Sequence, residues 1–580
     1  MLHDSKKIYR VVLLSILLLA TLLRLWSLGS GDTLSDEVLY SFRAIGMLDF
    51  DEAGDQTTPL EWLDPFIPSW TKYSFHDHPP LVFAVQHVFM RVFGETPFAF
   101  RLPSALLGIA SVYLLYLIGK YLSGEQVGLI AAALLGVTVN HVVISRLGLQ
   151  EAYVIFFLLL AVFLFFAAER NKKMYVWLGG AVGLALLTKY TTGVLIPIFL
   201  TYMLLFRRRD FCVRYVWIGA VLAALLFSPV LYYNLKLYQA VGHFDFQISY
   251  LVWQNPEVWS VQPGKEEFPT LAARAAAIFP NLLKFNSWIF LALFAGSSIA
   301  FIVSLAKHTK ETLRRHTFLL ITLFWLLIII IGIIGPSMRF LAMLTPFLAL
   351  GIAVTSRALH TPTRVGGVDS SARHRNWFEV VIAVFLLFEI LYSSNSQILP
   401  YPKGPQLWTW SVVRYENYNW GYHELDEWMR EKTDGRMPAL AFEPKYHFIG
   451  EIHKKALAEA ERAGKEPYPA LFVYDKNIAS IPQLWTLDRL QIYHAWPVIP
   501  ADTYLTFLRD NGADYFERAG FKEIYYIFPT KNVPWKKTNL TDIGMKLEEG
   551  LTKDGLKPYT TLENKRNDET FRIYRRIVQL

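Results

Sequence analysis

The sequence predicts a polytopic α-helical membrane protein with a C-terminal α/β domain outside the bilayer. Three observations predict it: the composition, the length of the apolar runs, and the placement of basic residues between them. Of 580 residues, 53% are hydrophobic and 15% aromatic, while only 18% are charged, and the mean hydropathy is +0.28. A soluble surface on a chain of this length requires more charge than that. The apolar residues gather into eleven runs, at 9–28, 103–121, 127–145, 152–168, 174–188, 191–206, 215–235, 286–306, 317–335, 340–356 and 378–394. Each has roughly 16 to 21 residues, the length a helix needs to cross ~30 Å of hydrocarbon.

The first run follows His3, Asp4, Lys6 and Lys7, as a signal peptide would. Its length, Arg24 at its far end and the lack of a small-x-small cleavage site predict a retained first span instead. With the N-terminus cytoplasmic, the short loops on that side hold Lys120, Arg170, Lys172, Lys173, Arg207, Arg208, Arg209, Arg214, Lys307, Lys310, Arg314, Arg315, Arg357, Arg364, Arg373 and Arg375. The opposite short turns hold only Arg146, Lys189 and Arg339, the asymmetry of the positive-inside rule. The net charge of +8 is thus a topology signal, and nucleic acid is not an expected partner. Eleven spans put the tail outside, together with loops 29–102 and 236–285. The expected domains are therefore a membrane domain at 1–395, including both loops, and an exported domain at 396–580. The one cysteine, Cys212, falls in a cytoplasmic loop, so the exported parts have no disulfide; a bacterial or archaeal inner membrane fits this.

In the tail, 438–443, 471–475 and 524–528 read as strands, and 421–432, 449–463 and 502–511 have helical spacing. The tail shows no Gly-rich phosphate loop or metal-ligand spacing. The Asn539-Leu540-Thr541 sequon is too short a pattern to carry weight.

Ionisable residues at the ends of membrane helices are costly and mark functional sites. Asp36 and Glu37 follow the first span and open an amphipathic stretch, 35–48, expected along the membrane surface. Adjacent acids on a helix point about 100° apart, so one can face a cavity while the other meets a different partner. His76-Asp77-His78-Pro79-Pro80 comes next, and its prolines fix Asp77 and His78 at the start of an apolar segment.

Read together, these features resemble the membrane-embedded glycosyltransferases of the C-type (GT-C) fold, in the branch of the protein O-mannosyltransferases and the aminoarabinose transferases of lipid A. The matching residues are Asp36-Glu37, HPPL at 78–81, RLPSALLG at 101–108, SRLGLQE at 145–151 and GLALLTKYTTG at 183–193. Beyond residue 200 the likeness is one of layout. The resemblance implies a GT-C fold with about eleven transmembrane helices. It implies transfer of a sugar from a polyprenyl-phosphate donor to a protein hydroxyl or an envelope lipid or glycan, as in protein glycosylation or lipid A modification. Asp36 is the implied base, with Glu37 beside it, and Glu151 stands where the family usually has Asp. His78 is implied near the donor phosphate, and Asp77 matches an acid that binds a divalent metal in some members, with His243 a second ligand by position. No organic cofactor is implied.

The leaving polyprenyl phosphate needs fixed cations in a site shielded from water. Lys189 and Arg339 sit on the correct face for that role, and Arg101 and Arg146 are also within reach of such a cavity. Three other readings compete. A transporter or flippase for a lipid-linked sugar predicts internal repeats and Gly/Pro-broken spans near mid-membrane, neither of which the sequence displays. An oligosaccharyltransferase predicts a WWDYG motif, for which NWGY at 419–422 is a poor substitute. A structural membrane protein leaves the ordered motifs unexplained.

Overall fold

The computed structural model describes residues 2–50, 58–254, 256–259, 268–304, 310–359, 370–404 and 418–578. Lys307 and Arg364 of the expected cytoplasmic loops lie outside the described residues. The chain forms two compact units. One comprises 1–29, 53–57 and 70–415; the other comprises 30–52, 58–69 and 416–580. The expected division kept the whole first loop with the membrane part, whereas here two of its segments group with the tail.

The first unit is helical. Lys6–Leu25, Pro97–Ser123, Gln150–Arg170, Arg214–Val241, His316–Ile334 and Val380–Gln397 are each long and apolar enough to cross a membrane. Glu125–Val137 and Val139–Arg146 qualify as a pair, bent by 60°. The other four expected spans fall on shorter apolar helices, Met174–Thr188, Tyr190–Phe206, Trp288–Ala300 and Arg339–Thr355. Apolar side chains such as Leu14, Leu18, Val221, Leu225, Phe324 and Leu387 are exposed on these helices. Contiguous apolar exposure on that scale is tolerable only against lipid, and the chain is a multi-pass membrane protein.

The 127–145 run was expected as one continuous span, and its bend has an identifiable cause. At Thr138 the backbone turns extended (φ −65°, ψ 131°), which orphans carbonyls of one helix and N–H groups of the next. Inside a bilayer each must find a partner within the protein. Arg24 supplies donors: its guanidinium bonds Gly136 O (2.8 Å), Leu135 O (3.3 Å) and His141 Nδ1 (2.7 Å). Glu389 supplies acceptors: its Oε2 takes the Val139 N–H and the Thr138 hydroxyl, both at 3.2 Å, and its Oε1 takes the Ser287 hydroxyl. Both side chains are fully buried. The absence of broken spans, one ground for setting transport aside, therefore does not hold for this segment.

In the second unit a five-stranded mixed sheet runs in the order Val498–Pro500, Ala470–Tyr474, Glu523–Pro529, Glu569–Ile577, Pro558–Glu563, the first three strands parallel and the rest antiparallel. Alternate residues of the central strands feed two apolar clusters, one around Phe472, Tyr525 and Trp428, the other around Leu471, Tyr526 and Phe516. The expected strands at 471–475 and 524–528 are present, as are helices Tyr422–Thr433, His447–Arg462 and Ala501–Asn511. The stretch 438–443 is not a strand beyond Pro438. Its Leu440 and Phe442 pack on the second cluster as loop residues, so their apolarity has a use without a ladder.

Segment 30–50 is integral to this unit. Asp32 accepts the N–H groups of Trp420 (2.6 Å) and His423 (2.8 Å), capping helix Tyr422–Thr433 from far upstream. Burial pushes the Asp32 carboxyl up, to about 7, against the pull of those donors. The amphipathic stretch becomes helix Glu37–Gly46, with Phe42 edge-on to Tyr493 at 5.1 Å. It was expected on the membrane surface; instead most of its residues are buried in protein, because its apolar face has a partner there.

Candidate active site

Helices Gln150–Arg170 and Met174–Thr188 run antiparallel through a three-residue turn, which brings the start of the first beside the end of the second. Glu151 occupies the first turn of one and Lys189 caps the other, each at the helix end whose dipole favours its charge. They meet as a buried ion pair, Nζ to Oε1 at 2.8 Å. The Lys189 ammonium also lies over the Phe340 ring at 4.5 Å. Arg339, in the turn Met338–Leu341 that follows Gly335 (φ +81°), acts electrostatically on Glu151. Two cations thus act on one carboxylate.

The approach to Glu151 is fixed by Gly148. A Cβ there would meet the Phe100 ring at 2.8 Å, and Gln86 Nε2 donates to the Gly148 carbonyl at 2.8 Å. Glu151 Oε2 and both amide atoms of Gln150 are buried without a hydrogen-bond partner among the described residues. Buried polar groups are nearly always satisfied, so unsatisfied ones beside a charged pair call for a bound polar group or water.

Next to Lys189, the Tyr190 hydroxyl donates to Asp245 Oδ2 (2.6 Å), which also accepts from Asn234 Nδ2 (2.9 Å). Asp245 Oδ1 caps helix Phe246–Leu251 through the Ile248 N–H. Burial raises the Asp245 carboxyl to about 6 against these donors, with the Asp77 charge adding to the rise. The His76 carbonyl accepts the Phe246 N–H (2.7 Å), and the rings of His76 and His243 both lie against Trp259. Asp77 contacts His78 Nδ1 at 3.0 Å in the turn ahead of Pro79-Pro80. His243 Nδ1 lies 2.8 Å from the Phe244 carbonyl oxygen. A carboxylate and an imidazole suit a divalent cation in kind.

The structure thus gathers Glu151, Lys189 and Arg339, and places Asp77, His78 and His243 in one neighbourhood of loops with Asp245. Arg146 goes elsewhere: its guanidinium bonds the carbonyls of Leu23, Arg24, Trp26 and Ser27 and closes the end of the first helix. Arg101 likewise donates to Leu28 O (3.1 Å). Asp36 and Glu37 belong to the second unit, Asp36 partly exposed at the helix N-terminus and Glu37 buried. Asp245 and Tyr190 escaped the sequence reading; the one available signal was an acid two residues after His243.

Residues 77–233 match the family model described as dolichyl-phosphate-mannose-protein mannosyltransferase. The protein YkcB of Bacillus subtilis (strain 168), provisionally named a mannosyltransferase, is 29% identical over 234 residues, covering 38% of this chain and 30% of its own length. YycA of the same organism, named in the same way, is 31% identical over 170 residues, covering 29% and 24%. The chain therefore spans less than a third of the length of either relative. Among solved structures, ArnT from Cupriavidus metallidurans bound to undecaprenyl phosphate aligns over 98% of both chains at 13% identity, with a TM-score of 0.49. The family match encloses Asp77, His78, Glu151 and Lys189, and the resemblance of the chain to the C-type membrane glycosyltransferases, read from its motifs, stands.

Proposed function

We propose that the protein transfers a sugar from a polyprenyl-phosphate donor to an acceptor hydroxyl or amine at the outer face of a bacterial or archaeal inner membrane, with the N-terminus cytoplasmic and the tail outside. The observation that carries this reading is the buried Glu151–Lys189 pair, which lies inside the segment that matches a mannosyltransferase family, with Arg339, from outside that segment, acting on it. In the reaction the anomeric C–O bond to phosphate breaks and negative charge grows on the departing polyprenyl phosphate. Lys189 and Arg339 are the cations that meet it, in surroundings of low dielectric where such contacts are strongest. His78 is a further contact for the phosphate. Glu151 holds the Lys189 ammonium in place, and the Gln150 amide and Glu151 Oε2, which have no hydrogen-bond partner among the described residues, are groups that can bond sugar hydroxyls. Asp36 takes the proton that the acceptor loses as it attacks, with Glu37 as the supporting acid. A divalent cation, held by Asp77 and His243, would add charge neutralisation for the phosphate.

The test offers purified protein a panel of radiolabelled polyprenyl-phosphate sugars, with envelope extract as acceptor, and compares it with Asp36→Asn. Transfer by the wild type that drops at least a hundredfold in Asp36→Asn supports the reaction and the base. Full activity of Asp36→Asn would remove Asp36 from the role, and no donor consumption by either protein would favour transport of a lipid-linked sugar.

A further inference from the structure

At the opposite end of helix Gln150–Arg170 from Glu151 lies a second polar site. The helix has 21 residues, which at 1.5 Å each spans about 31 Å, the thickness of the hydrocarbon. There a cavity of about 540 Å³ is lined by Glu169, Lys172, Leu205, Phe206, Arg207, Arg208, Arg209 and Asp210. Its acids are already engaged. Asp210 is bound by Lys172 Nζ (2.6 and 2.8 Å) and by the Tyr175 hydroxyl (2.6 Å), and Glu169 pairs with Arg207. Arg207 is built into the wall: its side chain is only 4% exposed, Nη1 donates to Phe165 O (3.0 Å) and the guanidinium lies over the Phe165 ring at 4.5 Å. Its Nε has no hydrogen-bond partner among the described residues. Arg208 and Arg209 are exposed, and no acid pairs with either among the described residues. The site therefore carries more positive charge than its acids neutralise.

The surface leading from the cavity is apolar. Leu204, Leu205 and Phe206 are 53%, 57% and 36% exposed, and Trp217 and Ile218 are exposed on the neighbouring helix. A ligand that fits both features has an anionic head and hydrocarbon tails. We propose that this cavity binds the headgroup of an anionic phospholipid of the surrounding membrane, its phosphate on Arg207, Arg208 and Arg209 and its acyl chains along Leu204 to Phe206. A free phosphate would use the same arginines but would have no use for the apolar track.

Native mass spectrometry of the full-length protein in detergent, titrated with palmitoyl-oleoyl phosphatidylglycerol and, separately, with the matching phosphatidylcholine, tests this. The wild type should retain phosphatidylglycerol in preference to phosphatidylcholine. Arg208→Gln/Arg209→Gln should weaken phosphatidylglycerol binding on the order of tenfold or more, while Lys173→Gln/Arg214→Gln, which removes the same charge from exposed positions outside the cavity, should change it less than about twofold. Equal binding of the two lipids, or equal losses in the two double variants, would overturn the proposal. So would displacement of bound phosphatidylglycerol by millimolar inorganic phosphate, which would make this a site for a small anion.

Discussion

The break at Thr138 and the pair Glu151–Lys189 both bury ionisable side chains among membrane helices, but their hydrogen bonding differs. At the break and the adjacent end of the first helix, the terminal nitrogens of Arg24 and Arg146 and both carboxylate oxygens of Glu389 are occupied by main-chain or small polar groups. These charges complete secondary structure that a bilayer could not solvate. At Glu151 one oxygen holds Lys189, and among the described residues the other has no hydrogen-bond partner, nor does the neighbouring Gln150 amide. Nε of Arg24 and of Arg146 has no hydrogen-bond partner among the described residues either, so the two places differ in what their charged ends hold: main-chain groups at the break, an opposite side-chain charge at Glu151. On that basis Arg146, which the sequence placed among the phosphate ligands, groups with the structural residues, and Lys189 with the candidate site.

The largest expected effect breaks the structural side. Glu389→Leu leaves the Val139 N–H and the Thr138 and Ser287 hydroxyls without their acceptor, at a cost on the order of 3 kcal/mol or more. The yield of monodisperse protein on size exclusion and the thermal midpoint in detergent should both fall sharply. Lys189→Met should cost about 3 kcal/mol as well, because it strands a buried carboxylate. Here the comparison sharpens: Lys189→Met/Glu151→Leu should recover most of the thermal stability, since two apolar groups replace the pair, without recovering sugar transfer. Recovery of activity along with stability would make the pair structural too. Gly148→Ala forces a methyl group against Phe100 and should cost roughly 1–3 kcal/mol, with reduced transfer as the Glu151 turn shifts, read by kcat at unchanged donor concentration.

The smallest effect concerns the second unit. The Asp32 carboxyl titrates near 7 in the folded state against a usual 3.8, so the folded chain holds a proton that the unfolded chain has released between those values. Stability from this group is therefore greatest below about pH 4 and is lost as pH rises through 7, with a slope of at most about 1.4 kcal/mol per pH unit. Asp32→Asn, which keeps one acceptor oxygen, should flatten that part of the pH profile of the tryptophan-fluorescence thermal transition. An unchanged profile would show that Asp32 stays ionised as a helix cap.

The sequence made the membrane helices legible because hydrocarbon leaves one solution, a long apolar run, and every one of the eleven runs falls on a helix, a bent pair or a shorter apolar helix. It hid the bend at Thr138, since no proline marks it; the two residues that make it possible, Arg24 and Glu389, lie far apart in the chain. It also hid the division of the first loop, because Asp32 meets partners 388 and 391 residues away and no local pattern encodes that. Of the candidate site, Glu151 and Lys189 were visible through their motifs and their positions at helix ends. Asp245 was not, because its significance comes from burial and from Tyr190, which only tertiary structure brings together.

The most direct test of the central claim is single-turnover release of label from the radiolabelled polyprenyl-phosphate sugar that the donor panel selects, by the wild type and by Lys189→Met/Glu151→Leu at matched thermal stability. The account predicts that the wild type transfers the sugar and that the double variant loses at least a hundredfold in rate while remaining folded. Equal rates from the two proteins would contradict it.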